Sequence, residues 1–211
     1  MVITHLGHAC VLVETDDARL LIDPGTMSRL EGIEELTAVL VTHQHPDHID
    51  LGRLAPLLAA SPQARLVVDP DTVDAVAAVE GLARVEVCRP GERLTFAGTT
   101  VDVLGGRHAS VYGDVPGCTN NCYAVDGGAF LHPGDSFHVP DLAIDVLAVA
   151  IDGPWLKLAE AVDYVHAVAP RVAVPIHEGE AVDPGKYAGM LGAFAPLAAV
   201  RQLAIGEPNA L

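Results

Sequence analysis

Basic residues are scarce in this chain. Twelve Lys and Arg stand against 28 Asp and Glu, a formal net charge of −16 over 211 residues. Such a surface repels a polyanion, because gripping phosphates requires Lys and Arg to displace counterions. Nucleic acid is therefore not an expected partner. Aromatic residues are also few, at 4%, so the core must be assembled from Val, Leu, Ile and Ala. No run reaches the ~18–20 uncharged apolar residues of a membrane span. The start, Met1-Val2-Ile3-Thr4-His5, lacks the basic region and apolar centre of a secretory signal. Four cysteines (Cys10, Cys88, Cys118 and Cys122) show no CxxC spacing, which suggests neither a zinc knuckle nor a disulfide framework. Cys118 and Cys122 are left as loop thiols that pair, bind metal or do neither. The economical reading is a reduced, cytoplasmic protein with no membrane partner.

What the chain does have is alternating short apolar runs and punctuation. Strands are predicted at 2–6, 10–14, 19–22, 37–41, 65–68, 85–87, 93–96 and 99–104. A hairpin follows at 121–125 and 129–131, turning through Asp126-Gly127-Gly128, and later strands at 145–151, 171–176 and 197–201. Helices are predicted at 51–60, where Pro56 limits the first turn, at 71–80 with Asp71 as its cap, at 158–169 and from 184 to about 194. Strand–helix–strand alternation predicts partly parallel sheets covered by helices, an α/β (α+β) architecture. Its size and the lack of a long linker predict one domain over 1–211.

Histidine, with 10 residues, marks the chemistry. Thr42-His43-Gln44-His45-Pro46-Asp47-His48 sits directly behind the apolar run 37–41, and Pro46 forbids regular pairing beyond it. His43 and His45, two apart, can bring both rings to one metal, while Asp47 and His48 diverge toward a second. His108 and His177 also stand just past predicted strands. The glycine-rich loop 105–117 offers Arg107, Tyr112 and Asp114 as candidates for substrate contact.

The segment His43–His48 resembles the HxHxDH signature of the metallo-β-lactamase-fold metal-dependent hydrolases. Within that superfamily the chain is most similar to the branch that includes the L-ascorbate-6-phosphate lactonase-like proteins. The resemblance extends to Gly7-His8-Ala9, to Ile22-Asp23-Pro24-Gly25, to His132-Pro133-Gly134-Asp135-Ser136 and to Pro175-Ile176-His177. It implies a four-layer αββα sandwich, two mixed β-sheets flanked by helices. It also implies two divalent metal ions, Zn²⁺ first with Mn²⁺ or Fe²⁺ as alternatives. His43, His45 and His108 would hold one ion; Asp47, His48 and His177 the other; Asp135 would bridge. His8 is expected outside the ligands or facing substrate, and Asp23 behind the histidine-rich loop. Asp47 and His132 are the expected catalytic groups, Asp47 orienting the nucleophile and His132, or His8, relaying protons. The function implied is cleavage of a small ester, lactone or phosphoester by hydroxide held between the ions. A metal-binding sensor or partner module with little turnover is the alternative, and self-association is left open.

Overall fold

Strand β3 (Arg19–Ile22) shows how the layers arise. Leu20 and Ile22 point into one buried cluster and Leu21 into another, as the two-residue period of a strand requires. Strand β4 (Ala38–Leu40) divides in the same way, with Ala38 and Leu40 on one side and Val39 on the other. Both faces are therefore covered, which is why these segments read as unbroken apolar runs.

The computed structural model describes residues 1–82 and 85–211. The first sheet adds to these two strands β1 (Val2–Gly7), β2 (Cys10–Glu14), β5 (Arg65–Val68), β6 (Val85–Val87) and, at the far end of the chain, β14 (Pro208–Ala210). Its order is β14-β1-β2-β3-β4-β5-β6. Strands β1 to β3 pair antiparallel, and β3 through β6 parallel.

The second sheet consists of β7 (Arg93–Phe96), β8 (Thr99–Gly105), β9 (Asn121–Val125), β10 (Phe130–His132), β11 (Val146–Ala150), β12 (Val172–Ile176) and β13 (Ala199–Val200). Its order is β13-β12-β11-β10-β9-β8-β7, antiparallel from β7 to β10 and parallel beyond. Each sheet is thus mixed.

Three apolar clusters fill the spaces between four layers. Leu20, Leu40, Val67, Val101, Tyr123, Val146 and Val174 meet between the sheets. Leu21, Val39 and Leu66 pack outward on helices α1 (Leu51–Ala59) and α2 (Val73–Ala77). Leu131, Leu147 and Ala173 pack on α3 (Leu158–Val168) and α4 (Pro184–Phe194). The fold is the αββα sandwich that the sequence resemblance implied.

Differences from the sequence reading have local causes. Helix α1 runs through Pro56, because the Asp50 side chain caps its start by accepting from the Gly52 and Arg53 amides. Helix α2 is only five residues long and has no side-chain cap. Asp71, expected to cap it, accepts instead from the Thr119 backbone and hydroxyl at 2.8 and 2.7 Å. Strand β14 carries no apolar alternation in Pro208-Asn209-Ala210, yet it pairs antiparallel with Val2–Thr4.

Polar bonds sew the two sheets together along one rim. The Tyr123 hydroxyl donates to the Val41 carbonyl at 2.7 Å. The Asn121 amide donates to Thr42 O and the His177 amide to His8 O, at 2.8 and 2.9 Å. Each bond joins the second sheet to a segment flanking a first-sheet strand.

Candidate metal centre

That rim gathers the histidines. Behind β4, the His48 and Ile49 amides both donate to His45 O, at 2.9 and 3.0 Å, which curls the segment 43–48 into a tight loop. Asp23, fully buried at the end of β3, holds the loop from beneath. One of its oxygens accepts from the Thr42 amide at 2.7 Å; the other accepts from the Thr42 hydroxyl and from His48 Nδ1–H, each at 2.7 Å. The bond that turns His48 this way leaves Nε2 facing the cluster.

The other rings are fixed likewise. The Thr42 hydroxyl hydrogen points at Asp23, so its lone pair accepts from His43 Nδ1–H at 3.0 Å. His108 Nδ1–H donates to Ala109 O at 2.6 Å. In both rings Nε2 is left for a ligand. His45 turns Nδ1 inward, 2.9 Å from His43 Nε2.

Asp135 lies at the centre. Its Oδ1 is 3.1 Å from His48 Nε2, and its Oδ2 is 3.2, 3.4 and 3.8 Å from the Nε2 atoms of His108, His177 and His43. The donors fall into two groups, one of His43, His45, His108 and Asp135, the other of His8, Asp47, His48 and His177. Asp135 lies within 3.8 Å of imidazole nitrogens of both groups. Asp47 Oδ2 lies 3.3 Å from His177 Nε2 and 3.7 Å from His48 Nε2.

His8 belongs to the second group by distance but not by chemistry. Its Nδ1 accepts from the Gly179 amide at 3.1 Å, so Nε2 carries the proton and donates to Asp47 Oδ2 at 3.0 Å. With both nitrogens committed, His8 aims Asp47 rather than ligating. Glu178 steadies His8 in turn, accepting from its backbone amide at 3.0 Å. The buried His5 donates to His8 O at 2.9 Å.

Backbone strain concentrates here. His8, Asp23 and His177 have φ of 53°, 52° and 62°, a left-handed conformation that costs roughly 1–2 kcal/mol per non-glycine residue. Two glycines let the loops close up. A Cβ on Gly25 would lie 1.8 Å from Asp47 O, and one on Gly134, whose φ is +57°, 2.4 Å from Asn120 Oδ1.

The electrostatics fit cations. Burial alone would raise the Asp135 carboxyl, but the imidazoles of His48, His108 and His177 hold it well below the usual range. Asp47 is likewise held low, by His177 and His8 against burial. Burial and the neighbouring His48 push His43 well below an ordinary imidazole. His48 shows the opposite balance: burial is outweighed by Asp135 and Asp23, which raise it well above. Buried polar atoms without a hydrogen-bond partner among the described residues include His48 Nε2, His108 Nε2, Asp135 Oδ1 and both nitrogens of His177. Those atoms are close to one another yet poorly aligned for hydrogen bonds. Lone pairs converging on two points, with no thiolate among them, suit a pair of divalent ions.

Several expected residues lie elsewhere. His132 is fully buried; its Nε2–H donates to Ala9 O at 2.8 Å, and its Nδ1 accepts from the Gly134 amide at 3.2 Å. Neither nitrogen is free to relay a proton, so His132 is another stitch between the sheets and not a catalytic group. Arg107 is exposed and favours the Asp71 carboxylate, away from the donors. Tyr112 is 81% exposed and does not line the cleft beside the donors; Val111 takes that place. Cys122 is buried, donating to Pro133 O, while Cys118 Sγ lies 4.0 Å from His45 Nε2, on the side of the ring away from His43.

The cleft has a volume of about 320 Å³, and its walls include Thr26, Met27, Val111, Trp155 and Glu180. No motif in the sequence singles out these wall residues. Glu178 was equally hidden; its only signal was adjacency to His177.

A buried histidine–carboxylate cluster at the end of a two-sheet αββα sandwich defines a class of metal-binding fold. The family model for the beta-lactamase superfamily domain matches residues 2–177, and the chain belongs to that family. It is 46% identical over 183 residues to Protein Rv0786c of Mycobacterium tuberculosis, covering 84% of each chain. It is also 28% identical over 195 residues to a UPF0173 metal-dependent hydrolase of Carboxydothermus hydrogenoformans, again covering 84% of each. Among solved structures, Igni18, a metallo hydrolase from Ignicoccus hospitalis, shares the fold with a TM-score of 0.77 at 21% identity, covering 99% of this chain and 97% of that one.

Proposed function

We propose that this chain is a dinuclear metal-dependent hydrolase acting on a small ester, lactone or phosphoester. The observation that carries the reading is Asp135, a buried carboxylate whose oxygens face unpartnered imidazole nitrogens of both donor groups. The name of the Carboxydothermus relative supports the same activity. His43, His45 and His108 would hold one ion, and Asp47, His48 and His177 the other. Imidazole and carboxylate donors favour Zn²⁺, with Mn²⁺ and Fe²⁺ compatible. When bound, such ions lower the pKa of water from 15.7 toward ~7 and polarise the substrate oxygen.

The chain's own groups supply orientation. Asp47, fixed by His8 Nε2–H, stays ionised throughout the neutral range. It is thus a fixed anion that aligns the attacking water through an accepted hydrogen bond, and a poor store for a proton. Asp23 and Thr42 keep His48 and His43 turned inward, so the rings do not reorganise when charge builds on the substrate. Trp155 and Met27 wall the approach.

Elemental analysis of the purified chain, with turnover of chromogenic esters, lactones and phosphodiesters in added Zn²⁺ or Mn²⁺, tests the reading. Two ions per chain and activity lost in His45→Ala are expected. Two bound ions with no turnover of any class would replace the enzyme with the metal-binding sensor.

A further inference from the structure

The walls of the cleft narrow the substrate class, on the premise that the hydrolase reading holds. Trp155 stands over both donor groups at once, edge-on to His108 at 5.6 Å and to His177 at 5.9 Å between ring centroids. Its indole is 7% exposed, and that surface faces a cleft also walled by Met27, Pro46, Val111 and Pro154. Met27 and Val111 keep 40% and 59% of their surface exposed, apolar area that a bound apolar group would cover.

The charged lining is entirely acidic. Asp47, Asp135 and Glu180 line the cleft, and no Lys or Arg does so among the described residues. Three carboxylates and a hydroxide would balance the charge of two divalent ions, leaving no surplus to attract an anion. Arg53, in the first turn of α1, is spent on Asp50, Ser28 O and Gly25 O. Apart from metal ions, sites that bind phosphate or carboxylate groups commonly use a guanidinium or an ammonium for the purpose, and no such group is in this lining.

We infer that the substrate is a neutral carboxylic ester or lactone whose apolar arm lies against Trp155, Met27 and Val111, and that the acidic mouth at Glu180 rejects an anionic arm. A cleft of about 320 Å³ is at the lower end of small-ligand pockets, so the arm is short, on the order of a few methylenes.

The metal-loaded protein can be offered p-nitrophenyl hexanoate and the mono-p-nitrophenyl ester of glutaric acid. These share a leaving group and have arms of similar reach, four methylenes ending in a methyl against three ending in a carboxylate. The expected kcat/KM favours the hexanoate by at least about tenfold, mostly through KM, as apolar-pocket discrimination does. Val111→Asp raises KM for the hexanoate, and Glu180→Lys lowers KM for the glutarate; both positions are exposed, so folding is not at stake. Trp155 is the only tryptophan and reports binding without turnover. Hexanamide should shift its emission saturably at a concentration about tenfold below glutaramate. Equal or reversed preference in either assay overturns the inference. Turnover of bis(p-nitrophenyl) phosphate but of neither carboxylic ester overturns it too, while leaving the hydrolase reading intact. No turnover of any of the three defeats the hydrolase reading, and the two amides then decide the preference of the cleft alone.

Discussion

The two sheets supply the centre in different ways. The first delivers four donors within the six residues His43–His48, on one loop whose rings are aimed by residues beside it, Thr42 and Asp23. The second delivers His108, Asp135 and His177 from three separate loops. Those loops are set by longer reaches: Ala109 N to Asp135 O, Asp135 N to Asn120 Oδ1, and His177 N across the seam to His8 O. One half is arranged locally, whereas the other is arranged only when the fold is complete.

Removing Asp135 strikes where the halves meet and should have the largest effect. Asp135→Ala is expected to lower hydrolysis by about 10³-fold, the several kcal/mol that charge stabilisation by bound ions provides. Bound metal counted by elemental analysis should fall with it. Asp23→Asn tests the local half: His48 keeps its place in sequence but loses its anchor, and metal affinity should drop about 10–100-fold in a chelator competition. A drop no larger than that of a surface mutant would mean the loop arranges itself without Asp23.

Proton competition comes next in size. Burial draws His177 down, but the carboxylates of Asp135 and Asp47, 3.4 and 3.3 Å from its Nε2, raise it to about 9 in the metal-free chain. A raised imidazole pKa favours the fold below the ordinary value near 6.5, and that contribution disappears as pH climbs through 9. Metal must displace this proton and the one that the raised His48 carries, so affinity at this site should strengthen by at least about tenfold per pH unit between those limits, with more than one proton released per ion. Proton release measured by calorimetry in two buffers checks the count. Smallest in its effect on chemistry is His132→Gln. Losing the bond to Ala9 O should lower stability by ~1–3 kcal/mol in urea unfolding, with the pH profile of turnover unmoved. A displaced profile would restore His132 to the catalytic machinery.

The same contrast explains what could be read from residues alone. The loop 43–48 announces itself because its donors are adjacent and Pro46 breaks the strand beneath them. His108, Asp135 and His177 carry no such local signature; each is one polar residue past an apolar run, and only the resemblance joined them. Strands were legible wherever both faces are apolar, as in Val146–Ala150. Strand β14 was not, because it is held by backbone pairing to β1 alone. His132 read as catalytic because it precedes Pro133-Gly134-Asp135. In the strand its ring points to the seam, three residues before Asp135 turns to the rim. Arg107 and His108 show a similar contrast at a loop: neighbours in sequence, one is exposed and the other buried. Met27, Val111 and Glu180 are ordinary surface residues until the fold lines them up along one cleft.

The bonds across the seam have a mechanical consequence. Tyr123, Asn121, His132 and His177 fasten one sheet to the other on the side where the donors meet, and a ligated ion pair would act there as a rivet through both. Its binding energy would add directly to the resistance of the sandwich against splitting, about 2.7 kcal/mol for each ion whose free concentration exceeds its dissociation constant a hundredfold. Chelation would thus loosen the protein along a single line, opening the two halves like a book from the edge that carries the chemistry.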